Sequence, residues 1–125
     1  MLYFIDRYFI HKDKRGSLEG LINFGQWREV NLIQSQTNIV RGNHYHKETI
    51  ELFVILKGKI LVRTQKVEDD NLAGPVCENI VQTGHVFMVE PYINHTFHII
   101  KSSKWINILS KKIEKDNPDI HFVGN

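Results

Sequence analysis

The stretch Arg41-Gly42-Asn43-His44-Tyr45-His46-Lys47-Glu48-Thr49-Ile50-Glu51 sets two histidines one residue apart and a glutamate five residues after the second. In an extended strand successive side chains alternate between faces, so His44 and His46 project together, while Tyr45 turns away as a packing residue. Glu51 lies an odd number of residues from His46 and cannot continue that strand on the same face. Residues 47–50 can turn the chain so that Glu51 opens the next strand beside the pair, sharing a face with Phe53 and Ile55. Two imidazoles and a carboxylate meeting this way suit either a metal site or an acid–base site.

Working outward, β-rich runs recur at Leu2–Ile10, Trp27–Ile33, Asn38–His46, Glu51–Leu56, Lys59–Thr64, Val76–Gln82, Val86–Glu90, His95–Ile100 and Trp105–Leu109. They predict about nine strands, separated by turn signals at Arg15-Gly16-Ser17, Gly20, Asn23–Gly25, Lys57-Gly58, Glu68–Pro75, Thr83-Gly84 and Pro91. Helical periodicity never persists beyond two turns, although Ser110–Lys115 is expected to close the domain with a short helical turn. The pattern reads as an all-β sandwich or barrel, a single domain over residues 1–125. In the run from His95, alternation places His95, Phe97 and Ile99 on one face and His98 and Ile100 on the other. His95 and His98 are therefore not expected to serve the same site.

A chain of 125 residues buries roughly two thirds of the surface its unfolded form exposes, enough for one core. With 16 Lys+Arg against 14 Asp+Glu and only short like-charge runs such as Lys111-Lys112, no nucleic-acid or membrane footprint is expected. The single cysteine, Cys77, cannot form an intramolecular disulfide and lacks an activating partner, so it reads as packing. The first residues hold no basic leader before an apolar stretch, and no run approaches ~20 apolar residues, so a cytoplasmic location is expected.

The spacing of these residues resembles the cupin superfamily. Its first motif reads Gly, five residues, His-x-His, three or four residues, Glu, six residues, Gly. His44, His46, Glu51 and Gly58 fall at those places, and Asn38 replaces the leading Gly. In the second motif Gly84 and His95 match, while Glu90, Tyr92 and Ile99 stand where Pro, Gly and Asn are usual. Arg41-Gly42-Asn43-His44 resembles the Arg-Gly-x-His of the dTDP-4-dehydrorhamnose 3,5-epimerases. Asp13–Leu18 with Arg41–Lys47 is similar to the dTDP-sugar 3,4-ketoisomerases. Asn43–His46, Glu51 and Asp116-Asn117-Pro118-Asp119 resemble the metal-carrying C-terminal cupin domain of capsular-polysaccharide sugar-nucleotide reductases. The resemblance implies a cupin jelly roll, a nucleotide-linked keto sugar as substrate and a homodimer; exposed sheet edges also favour pairing.

The chemistry of the residues allows two roles. His44, His46, Glu51 and His95 form a plausible N/O set for one divalent transition metal, zinc foremost, with Mn, Fe, Ni or Co also compatible. Alternatively, His44 acts as the base that removes a proton next to a sugar carbonyl, with His46 as donor or shuttle, because a neutral imidazole titrates near working pH. A histidine that gives its lone pair to a metal cannot use it as a base, so His44 is not expected to do both. Lys47 or the metal could stabilise the developing oxyanion, although Lys47 also reads as a solvated turn residue. The late strand Trp105–Ser110 has no tyrosine of the kind the epimerases use as acid. Tyr92 is the candidate replacement, against a packing role at the rim.

Arg41 is a candidate for the substrate diphosphate, equally a strand-end salt bridge. Arg15 matches the family's early motif and is the second candidate substrate contact, against a turn role. His11, His85, His98 and His121 join no constellation. The resulting expectation is an isomerase, a sugar-nucleotide 3,4-ketoisomerase or epimerase for surface-polysaccharide sugars. The alternatives are a metal-dependent cupin dioxygenase acting on a small molecule and a non-catalytic sugar-binding cupin.

Overall fold

A computed structural model of the chain describes residues 1–124. Among these, the elements are β1 (Tyr3–Phe4), β2 (Phe9–Asp13), β3 (Gly16–Gly20), β4 (Glu29–Ser35), β5 (Val40–His44), β6 (Glu51–Glu68), β7 (Asn71–Gln82), β8 (Val86–Val89) and β9 (Ile93–Leu109), with no helix. The fold is the all-β cupin jelly roll. Strands β6 and β9 pair antiparallel along nearly their whole length and carry the remaining strands on their flanks. The first part of β6 pairs with β8 and the second with β7. The first part of β9 pairs with β5 and the second with β4.

Two pairs of predicted strands merge. Glu51–Leu56 and Lys59–Thr64 belong to one strand, as do His95–Ile100 and Trp105–Leu109. Lys57-Gly58 is a bulge, not a turn: the β6–β9 register shifts on both sides of Lys57 and again after Lys59. Gly58 sits at φ 101°, and a Cβ there would lie 2.6 Å from the Ser102 carbonyl oxygen and against Ser103 Oγ. The bend therefore needs glycine for both its backbone angle and its close approach to β9.

The predicted Leu2–Ile10 strand divides into β1, paired with β8, and β2, paired with β3. Strand β3 falls on residues whose glycines read as turn signals. The Glu68–Pro75 loop shrinks to a two-residue turn at Asp69-Asp70, with φ 51° and 62°. Both central residues of a type I′ hairpin need positive φ, and aspartate tolerates it. Ser110–Lys115 is not helical; the segment instead forms an isolated bridge between Glu114 and Asn117.

One apolar cluster, including Phe53, Ile55, Ile60, Val62, Phe87, Phe97, Ile99 and Trp105, fills the interior. A second one, centred on Leu52, Val54 and Val86, is covered by Ile5, Leu21, Ile22 and Trp27. Residues 52–55 of β6 are consequently buried on both faces. The family glycine positions held here by Asn38 and Tyr92 are both left-handed, at φ 65° and 62°. Asparagine adopts this conformation at little cost, whereas tyrosine does so at about 1 kcal/mol or more. No described helix is long and apolar enough to cross a membrane.

Candidate metal and acid–base site

Four elements bring the site together. His44 ends β5, His46 lies in the turn that follows, Glu51 opens β6 and His95 stands near the start of β9. His95 is directly opposite His44 in register. One ligand atom from each of the four residues lies within 4.8 Å of the others. They line a cavity of about 200 Å³ whose other walls include Ile33, Arg41, Phe53, Trp105, Asn107 and Ile120. His98 lies outside it, as strand alternation predicts.

The imidazole hydrogen bonds define what the cluster can hold. His46 Nδ1 donates to the Asp119 carbonyl at 2.7 Å, and His95 Nδ1 donates to the Ile93 carbonyl at 3.0 Å. A carbonyl only accepts, so both rings carry hydrogen on Nδ1, and in the neutral form both present a lone pair on Nε2. Those two Nε2 atoms face the same oxygen, Glu51 Oε1, the His95 atom at 3.1 Å. His95 Nε2 is buried and makes no hydrogen bond. A lone pair opposed to a carboxylate oxygen in a buried setting calls for a cation between them, either a second proton on the ring or a metal ion. The donor set therefore fits a divalent transition metal, with the Asp119 and Ile93 carbonyls that anchor the imidazoles as its supporting shell.

Electrostatics separates the histidines. Burial, then the neighbouring His95 ring, pushes His44 down to about 4, so it is neutral at pH 7. Burial also opposes protonation of His46, but its hydrogen bond to the Glu51 carboxylate outweighs this and raises its pKa. For Glu51, burial is the largest influence and favours the neutral acid. Contacts with His46 and His95 overcome it and hold the carboxyl well below the usual range. Glu51 Oε2 takes a further hydrogen bond from Asn107 Nδ2 at 2.8 Å.

The other candidates fare differently. Arg41 lines the cavity, its guanidinium 5.9 Å from the centre of the Trp105 ring, and no carboxylate pairs with it among the described residues. Lys47 is not brought to the cavity: its Nζ lies 3.4 Å from Asp70 Oδ1 on the surface. Tyr92 is exposed, with its ring 6.1 Å from that of Tyr45. Its contribution near the site is its backbone N–H, which donates to the His46 carbonyl. Arg15 lies on the β2–β3 hairpin, bonded to Asp13, with a side chain 87% exposed. These three sit on turns whose side-chain direction strand alternation does not set. Asn107 is not singled out from sequence, Asp119 enters only through the resemblance of the Asp116-Asn117-Pro118-Asp119 ending, and His121, expected to join no constellation, bonds Asp119 beside the site at 3.0 Å; the partners of Asn107 and Asp119 lie 56 and 73 residues away along the chain.

The jelly roll with a buried His/Glu cluster in its cavity defines the fold as that of a cupin. The chain belongs to the polysaccharide biosynthesis C-terminal domain family, which matches residues 11–118. No curated protein matches it. Among solved structures it is similar to the capsular polysaccharide assembling protein CapF from Staphylococcus aureus (22% identity, TM-score 0.70, 94% of this chain and 34% of that one). It is also similar to a 3,4-ketoisomerase from Helicobacter canadensis (16%, 0.73, 96% and 87%). A third relative is a Legionella pneumophila dTDP-6-deoxy-D-glucose-3,5-epimerase in complex with dTDP-4-keto-L-rhamnose (15%, 0.68, 93% and 75%). At these identities the likeness establishes the fold. The chain spans about a third of the length of CapF.

Proposed function

We propose that this chain is a sugar-nucleotide isomerase that removes and returns the proton next to the carbonyl of a nucleotide-linked 4-keto sugar, in the making of surface-polysaccharide sugars. The observation that carries this reading is the state of His44. It is the cavity imidazole with no side-chain hydrogen-bond partner among the described residues; one ring nitrogen bonds the Gly42 backbone, the other keeps its lone pair, and the ring is neutral at pH 7. Its lone pair is available to take the proton from the hydroxyl-bearing carbon beside the carbonyl, giving an enediolate. Returning that proton to the former carbonyl carbon, while the hydroxyl proton passes to the former carbonyl oxygen by exchange with water, moves the carbonyl by one position, and one imidazole serves both carbon proton transfers. No tyrosine, lysine or cysteine lines the cavity among the described residues. This favours ketoisomerisation by a single base over epimerisation, which needs an acid on the opposite face.

His46, Glu51 and His95 would hold a divalent transition metal, leaving His44 as the base. When bound, such an ion polarises a substrate oxygen and acidifies the neighbouring C–H, offsetting the weak basicity of His44. Arg41 is placed to pair with the diphosphate. At about 200 Å³ the cavity is smaller than the ~300–1,000 Å³ typical of whole-ligand pockets, consistent with the sugar ring inside and the nucleotide outside. A symmetric dimer fits the exposed Phe9, Ile10 and Leu18 of the β2–β3 hairpin and the exposed Val30 and Leu32 of β4.

The test is deuterium uptake from heavy water into a panel of nucleotide-linked 4-keto sugars, followed by NMR. His44→Ala should slow uptake by about 10²–10⁴-fold, the usual worth of a positioned acid or base. Uptake unaffected by His44→Ala rejects it as the base. No uptake across the panel supports a sugar-binding module, and oxygen consumption instead supports a cupin dioxygenase.

A further inference from the structure

Asp119 follows the last strand and lies one residue beyond the part of the chain that the family matches. Its side chain is only 6% exposed. Its carboxylate accepts hydrogen bonds from the backbone N–H of Lys47, Glu48 and Thr49, each at 2.9 Å, and from Thr49 Oγ1 at 2.8 Å. His121 Nε2 is a further partner at 3.0 Å. Three successive N–H groups converging on one anion form a nest, and here the anion belongs to the protein itself. Burial would favour the neutral acid, but these donors outweigh it and hold Asp119 well below the usual carboxylate range.

The turn so gathered is the one that carries His46 to Glu51. The same residue fixes the His46 ring, because its backbone carbonyl accepts the Nδ1 hydrogen at 2.7 Å. Asp119 adopts a left-handed conformation at φ 54°. The segment is anchored just beyond by the paired Tyr45 and His121 backbone bonds, at 3.0 and 2.9 Å. Ile120 then lines the cavity, and Phe122 packs edge-to-face on His44 with ring centroids 6.2 Å apart.

We infer that Asp119 is a positioning residue: by locking the 47–49 turn to residues 119–122 it imposes the Nδ1–H tautomer on His46 and aims Nε2 at Glu51, setting the affinity of the cluster for its ion. This rests on the metal reading of the cluster, but the tautomer is observable without metal. Neither sequence neighbour of His46 could impose it, since the carbonyl that does so comes from 73 residues later.

The experiment compares Asp119→Ala, Asp119→Asn and Ser103→Ala in the whole chain. Ser103 Oγ donates a partly buried hydrogen bond to the Lys101 carbonyl at 2.6 Å and lines no part of this cavity, so its loss tests a merely structural effect. Zinc affinity is read by chelator competition, and the His46 tautomer by nitrogen NMR of chelator-treated protein. Asp119→Ala should weaken zinc by about 10–100-fold, the usual cost of losing a supporting shell, and should mix the His46 tautomers. Asp119→Asn, which keeps one acceptor oxygen, should fall between it and the parent, and Ser103→Ala should change neither readout. If Asp119→Ala does not fold, Asp119→Asn and Thr49→Val carry the test, with a smaller drop expected in both readouts. Unchanged zinc affinity and an unchanged His46 tautomer in the Asp119 variants overturn the inference. A parent protein that holds the Nδ1–H tautomer but takes up no zinc overturns the metal reading and leaves the positioning role to the NMR comparison.

Discussion

Asn107 Nδ2 donates to Glu51 Oε2 at 2.8 Å, tying β9 to the first residue of β6 inside the cavity. Glu51 Oε1 faces His46 and His95, so Asn107 holds the carboxylate by its other oxygen and fixes how the first one points. Asn107→Ala should therefore weaken divalent-metal affinity by about 10–100-fold, together with a stability loss of about 1–3 kcal/mol for the stranded buried oxygen. Chelator competition and urea unfolding measure the two effects. Parent-like zinc affinity in Asn107→Ala would show that Glu51 needs no support.

The donor set predicts about one transition-metal ion per chain, zinc foremost, after purification without chelator. Removing the ion should lower the melting temperature, because the apo cluster keeps a carboxylate facing two imidazole nitrogens. His46→Ala, Glu51→Ala and His95→Ala should each release it, and Lys47→Ala should not. Elemental analysis decides the matter, and a metal-free protein that takes up no zinc on reconstitution counts against the set.

Arg41→Ala should mainly raise KM for the nucleotide-linked sugar and leave kcat within a few fold, since the guanidinium is assigned to the diphosphate and not to the reacting carbons. Arg41→Lys should restore little of it, because an ammonium cannot make the paired hydrogen bonds of a guanidinium. An equal fall in kcat would instead place Arg41 at the reacting oxygen.

Acid stability should depend on His44. Its pKa lies near 4 in the fold against 6.5 for a free imidazole, so the unfolded chain binds a proton that the folded one refuses. Stability should then fall as pH drops from about 6.5 to about 4, by up to about 3 kcal/mol. His46 has a raised pKa and works in the opposite sense, losing its contribution as pH rises through it. In chelator-treated protein, His44→Ala should flatten the loss between those pH values. The same slope in the variant would assign acid sensitivity elsewhere.

Gly58→Ala should cost at least about 2 kcal/mol, because the new methyl group meets the Ser102 carbonyl and Ser103 Oγ in a backbone region hostile to L side chains. Gly74→Ala, at φ 73° with open space around it, should show the backbone cost alone. The difference in urea midpoints isolates the close approach of β6 to β9.

Alternation along single strands sufficed to put His44 and His46 on one face, to set His95 apart from His98, and to let Glu51 open the following strand. Those are local facts, fixed by the two-residue repeat of an extended backbone. Turn chemistry was legible only in part. Gly58 reads as a turn until β9 lies beside it, when the same glycine becomes a bend within one long strand. Asp69-Asp70 hides a tight hairpin behind two ordinary polar residues.

The tertiary structure alone decided which remote groups complete the site. Asn107 and Asp119 reach Glu51 and His46 across 56 and 73 residues, so no spacing within the His44–Glu51 stretch signals them. It also left Arg15, Lys47 and Tyr92 outside the cavity, since a side chain on a turn points where the packing of neighbouring strands sends it. Residue identity and strand period thus set which histidines and glutamate share a face, while the pairing of distant strands set the tautomers, the charge states and the walls, because hydrogen bonds and burial act between residues that only the fold makes adjacent.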